Sequence, residues 1–152
     1  MKALSSIFIV ITLPVFLCSH SMGQELSVLR DIAKGAVEKQ QPDWVLVSER
    51  EGEKESRYSW KSGRKGVTVL IFIGKSVVEA KERMDFTSNR LSVGPGKPRK
   101  DIGDEAYFWE DEKSGMGGIR FRKGKVYIDI NASSPAMAAD LAKRLAKEVS
   151  IE

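Results

Sequence analysis

One cysteine and one histidine occur in the 152 residues of this chain, and both, Cys18 and His20, lie near its N-terminus. A chain trimmed behind them holds neither, which removes Ser–His–Asp triads, cysteine nucleophiles and the usual zinc sites from consideration. Disulfides are excluded for the same reason, so such a domain must stand on its hydrophobic core. Long apolar runs are scarce as well. The single one, Ala3 to Leu17, is broken by Ser5, Ser6, Thr12 and Pro14, and a membrane helix needs about 20 apolar residues. The formal charge is only +4. No dense Lys/Arg block appears, and nucleic acid is not an expected partner.

The apolar run has a different reading. Met1-Lys2 is a short basic start, and the small residues Ser21 and Gly23 are spaced as a signal peptidase requires. Cleavage is therefore expected after Gly23, with residues 1–23 as signal peptide and 24–152 as a single exported domain, secreted or periplasmic. Leu17, rather than a small residue, precedes Cys18, which argues against a lipoprotein anchor there. No transmembrane helix is expected once the signal has gone.

What remains is patterned. Leu26, Leu29, Ile32, Ala33, Ala36 and Val37 recur at helical spacing and stop before Pro42. Strands are expected at Trp44–Ser48, Arg57–Lys61, with Tyr58 and Trp60 on one face, and Val67–Ile73. A second helix follows over Val77–Ser88, with Val77, Ala80 and Met84 inward. Residues 91–104, LSVGPGKPRKDIGD, read as a loop because Pro95, Pro98 and the glycines disfavour regular structure. Strands at Ala106–Trp109, Gly118–Arg122 and Val126–Ile130 come next, the last two as a hairpin around Lys123-Gly124. Ser134 caps a final helix with Pro135 at its first position and Met137, Leu141, Leu145 and Val149 along one face. The expected fold is α+β, in the order α-βββ-α-βββ-α, with three helices on a mostly antiparallel sheet of about six strands. Arg64-Lys65-Gly66 recurs as Arg122-Lys123-Gly124, and Ser76 recurs as Ser134, at one offset. That repetition suggests a degenerate internal duplication.

Two motifs imitate active sites. Gly74-Lys75-Ser76 follows an apolar strand and precedes a helix, as in a phosphate loop. The glycine that such a loop needs five positions earlier is Val69, inside the strand, where the chain is extended. Ser76 and Glu79 instead have capping-box spacing. Ser62-Gly63-Arg64-Lys65 has the S-x-x-K form of penicillin-recognising enzymes, but it sits in a hairpin turn and lacks the S-D-N and K-T-G partners.

Strand parity supplies the candidate surface. Ala106, Phe108, Ile119, Phe121, Val126, Ile128 and Ile130 share one face and should meet the helices. The other face carries Tyr107, Trp109, Arg120, Arg122, Tyr127 and Asp129. Open to solvent, it would be an aromatic and cationic plate of the kind that binds proteins or sugars. The basic loop residues Lys97, Arg99 and Lys100 offer a second contact. Asp101, Asp104 and Glu105 cluster beside Tyr107 and Trp109, the alternative being a carboxylate-dependent hydrolase or glycan-active enzyme. Their spacing does not match a calcium loop. Leu70 and Phe72 make the third strand apolar on both faces, so either a helix covers each side or a partner chain does, as in a homo-oligomer.

The stretches DIGDEAYF (101–108), RFRKGKVYIDI (120–130) and A-x-x-L-A-K-R-L (138–145) resemble the C-terminal half of small exported bacterial domains of unknown function. There a G-[LIV]-G-D-E-A-[YF] segment leads into a hairpin with R-x-G at its turn and a closing helix; Asp101 stands where that pattern carries Gly. The resemblance covers the last third of the chain. It implies an α+β sheet domain outside the cytoplasm and brings no activity with it. The expectation is a non-catalytic binding or interaction module of the cell envelope, without metal or cofactor. Its partner would be an envelope protein or an anionic polymer or glycan.

Overall fold

The computed structural model describes residues 22–90 and 96–149. Most of the expected leader, with Cys18 and His20, lies outside them, as does Pro95. Met22 and Gly23 form the first turn of helix α1, Met22–Gln40. Three strands follow, β1 (Val45–Glu51), β2 (Glu55–Ser62) and β3 (Lys65–Ile73). Then come α2 (Val77–Arg90), β4 (Lys97–Arg99), β5 (Glu105–Asp111), β6 (Met116–Lys123), β7 (Val126–Ala132) and α3 (Pro135–Glu148). The seven strands form one wholly antiparallel sheet in the order β1-β2-β3-β7-β6-β5-β4. The fold is α+β, as the patterning indicates, with one strand more than expected.

That extra strand corrects the reading of 91–104 as loop throughout. Lys97–Arg99 pairs with β5, with Pro98 opposite Tyr107. Proline is tolerated there because β4 is the outermost strand, where a missing N–H interrupts no further ladder. β1 also runs past its expected end at Ser48 to Glu51, since Arg50 and Glu51 pair with Arg57 and Ser56.

Alternation sorts the sheet into two faces. On the first, Tyr58, Trp60, Val67, Val69, Ile71, Ile119, Phe121, Ile128 and Ile130 join Leu26, Leu29, Ala33 and Val37 of α1 and Ala138, Leu141, Ala142 and Leu145 of α3 in one core. Tyr58 and Trp60 sit together as the alternation requires, their ring centroids 6.2 Å apart. α3 is fixed at its start by Ser134, whose Oγ accepts from the Met137 amide at 3.5 Å, with Pro135 in the first turn. Gly117 lies under that proline: a side-chain carbon there would meet Pro135 Cγ at 2.8 Å.

Among the described residues, α2 is the helix on the second face. Ala80 and Met84 pack on Leu70, Phe72 and Tyr127, with Tyr107 at the edge of the cluster. Val77 is half-exposed, contrary to the helical-wheel assignment, because it precedes the turn that reaches the sheet. Leu70 and Phe72 are thus covered from within the chain.

The two βββα halves are not structural repeats. β2 and β3 turn at Gly63, with φ +60°, and β6 and β7 turn at Gly124, with φ +55°. Gly66, which the repeated letters align with Gly124, is paired in a strand with Lys61. α2 and α3 lie on opposite faces of the sheet. A rotation that superposes the antiparallel β3 and β7 keeps each face on its own side, so it cannot bring the two helices together.

Candidate functional site

Cross-strand register builds the α2-side face in rows. One row runs Arg50, Arg57, Leu70, Asp129, Arg120, Tyr107 and Pro98. Another runs Glu55, Phe72, Tyr127, Arg122 and Glu105. A third carries Ser48, Ser59, Thr68, Asn131, Gly118 and Trp109. Parity therefore places Tyr107, Trp109, Arg120, Arg122, Tyr127 and Asp129 on one face, as the sequence requires.

The face is not the open plate that alternation alone allows. α2 lies across its centre, and Arg120 and Tyr127 are both 0% exposed, with Asp129 at 6%. Burial pushes the Asp129 carboxyl above its ordinary value, while the charge of Arg120, directly across the strand pair, pulls it back. Burial and then Asp129 push the Tyr127 hydroxyl upward as well. Tyr107 is half-buried and donates to Glu105 Oε1 at 3.2 Å. The Trp109 indole is also half-buried and lies on Gly118, where a side-chain carbon would come within 2.4 Å of its Nε1.

Arg122 closes the β6–β7 hairpin. Its Nη1 donates to Asp104 Oδ2 at 3.0 Å and to the Gly124 carbonyl at 3.2 Å, and Asp104 also accepts from the Gly124 amide. The basic loop turns away from the plate. Lys97 and Arg99 pair with Phe108 and Ala106 and so project to the α3 side, while Lys100 is exposed. Arg99 holds Asp101 with two hydrogen bonds of 2.8 and 2.7 Å, and Lys143 of α3 stands 3.4 Å away.

The acidic cluster does not converge. Arg99 above all holds the Asp101 carboxyl well below the usual range. Asp104 braces the hairpin, and Glu105 faces Lys81 of α2 at 3.6 Å. Paired-carboxylate hydrolysis needs two carboxyls facing one bond, whereas Asp101 is held by Arg99 and both Asp104 and Glu105 are turned onto Arg122, at 3.0 and 3.8 Å. Among the described residues, no three His, Cys, Asp or Glu side chains are grouped to hold a metal. The mimics resolve as caps and turns. Ser76 Oγ accepts from the Glu79 amide at 3.2 Å, and Glu79 reaches back to the Lys75 amide. Ser62 and Lys65 are simply the last pair before a tight turn.

One feature on this side escapes the sequence reading. A cavity of about 300 Å³ at the β1–β2 hairpin is lined by Arg50, Glu51, Gly52, Glu55 and Arg57. Its signal was the register of two strands, which becomes visible only when β1 is extended beyond Ser48. No family model, curated protein or solved structure matches this chain. Among the described residues no helix is long and apolar enough to cross a membrane.

Proposed function

We propose that this chain is an exported, non-catalytic binding module of the cell envelope, and that it meets its partner with the sheet face that carries α2. The carrying observation is where the exposed apolar side chains stand. Seven large ones are exposed among the described residues: Val28, Val45, Val47, Val77, Val78, Phe86 and Met116. Val77, Val78 and Phe86 are on α2, and Val45 and Met116 project to the same side by register with Lys61 and Asp111. Scattered single residues of this kind need no explanation, but concentration on one side marks an interaction surface.

The geometry behind that concentration is simple. A helix with its side chains is about 10–12 Å across, while strands repeat at about 4.8 Å. One helix therefore roofs two or three strands of a seven-stranded sheet and leaves flanks on either side. Tyr107 and Trp109 stand on one flank, and Arg50, Arg57 and Lys61 on the other. Export rests on the leader pattern of residues 1–23. The enzymatic alternative draws no support from Asp101, Asp104 and Glu105 as they are placed.

Phe86→Glu combined with Met116→Glu should remove capture of the partner from an envelope extract without lowering the melting temperature. Val28→Glu, on α1, should leave capture intact. A doubly substituted chain that still retains the partner would sink this assignment of the face.

A further inference from the structure

Arg50 and Arg57 lie directly opposite one another on β1 and β2 and project from the same side of the sheet. Like charges placed in this way oppose strand pairing. Both arginines are exposed, and among the described residues neither has a hydrogen bond or a carboxylate within ion-pair distance. Asp129, whose charge Arg57 also feels, is buried two strands away beside Arg120.

The carboxylates of the adjoining cavity are already engaged. Glu51 Oε1 accepts from Arg30 Nη1 and from the Tyr58 hydroxyl, each at 3.0 Å. Glu55 Oε2 accepts from Arg83 Nε at 2.8 Å and also from its Nη2. The Gly52 amide is taken by the Glu55 carbonyl at 2.8 Å. Two guanidiniums thus line the cavity without an ion pair of their own, while its two carboxylates, Glu51 and Glu55, are paired with Arg30 and Arg83. A volume of about 300 Å³ reaches the small end of the range for ligand sites.

We propose that this cavity binds a tetrahedral oxyanion of the phosphate type, gripped jointly by Arg50 and Arg57. One guanidinium fork satisfies both oxygens of a carboxylate, whereas a phosphate has oxygens enough for two forks at once. The site opens at the end of an edge hairpin, so the phosphate can be a free ion or a group on a larger chain. The proposal rests on the binding-module reading only for that second source.

The test is amide and arginine Nε spectroscopy of the isotopically labelled chain, titrated with inorganic phosphate and separately with a soluble glycerol-phosphate oligomer. Resonances of Gly52 and Arg57 should shift with phosphate, and chloride at equal ionic strength should not reproduce the shift. Arg50→Ala and Arg57→Ala should each weaken binding about tenfold, as loss of hydrogen bonds to a charged group implies. Lys100→Ala should leave binding unchanged. Both arginine variants should melt no lower than the parent, because each relieves a like-charge pair. Tighter binding of the oligomer identifies a polymeric source, and equal affinity identifies the free ion. Shifts that chloride mimics, or that persist when Arg50→Ala and Arg57→Ala are combined, overturn the proposal. Partner capture through Phe86 and Met116 would survive that result, so the two readings fail separately.

Discussion

Replacing Arg120 with alanine should destabilise the protein by about 3–5 kcal/mol, the usual cost of leaving a buried charge uncompensated. Arg120 is fully buried between β6 and α2, and Asp129 is its cross-strand neighbour. Its loss leaves Asp129 in a low-dielectric site without the positive charge that acts on it most strongly, since Arg57 and Arg83 act on it more weakly. The effect should carry a pH signature. Asp129 is already raised by burial, and without Arg120 it rises further. A carboxyl raised on folding contributes stability that is fully present below its unfolded pKa of about 3.9 and is lost as pH rises through the folded value. The gap between variant and parent should therefore be widest near neutrality and narrow toward pH 4. Taking the difference cancels exposed carboxylates such as Asp101 and Glu79, which titrate in both proteins. Denaturant melts at several pH values check this. A gap that is constant with pH would mean that only packing was lost.

Met84→Ala should cost about 2–5 kcal/mol, as for other buried methionine truncations. Met84 is 0% exposed and occupies the centre of the small cluster formed by Leu70, Phe72, Ala80 and Tyr127. That cluster is separate from the main core under α1 and α3. Damage there should loosen α2 first, because few other apolar groups hold it down. Amide exchange should accelerate in Val77–Arg90 well before the Val69, Ile71 and Ile128 amides of the central strands respond. Uniform acceleration across the molecule would show instead that both faces unfold as one unit.

Much of this architecture was legible in the sequence because burial imposes periods that letters record. The alternation Ile119, Phe121 on one strand and Val126, Ile128, Ile130 on the next is enough to assign the core face. Ser134-Pro135 marked the start of α3 because a cap and a proline act locally. Leu70 and Phe72 posed the right question, since a strand apolar on both sides must be covered twice. What strand parity could not supply was the cover. Arg120 and Tyr127 read as an exposed plate because α2's path across β3, β7 and β6 is a tertiary fact. β4 was hidden by Pro98, which is harmless only at an edge. The Arg50–Arg57 pair was hidden because the first strand is expected to stop at Ser48, short of its charged end at Glu49-Arg50-Glu51. As an edge strand exposed to water, it tolerates those charges.

The proposed binding of a partner on the α2-bearing face of the sheet is the centre of this account. Photo-crosslinking on intact cells, with the reactive side chain placed in turn at Phe86, Met116, Val28 and Arg144, tests it most directly. Adducts of one defined mass from Phe86 and Met116, with none from Val28 or Arg144 on the helices of the opposite face, are the predicted result. The same adduct from Val28 or Arg144, with Phe86 and Met116 silent, would contradict it.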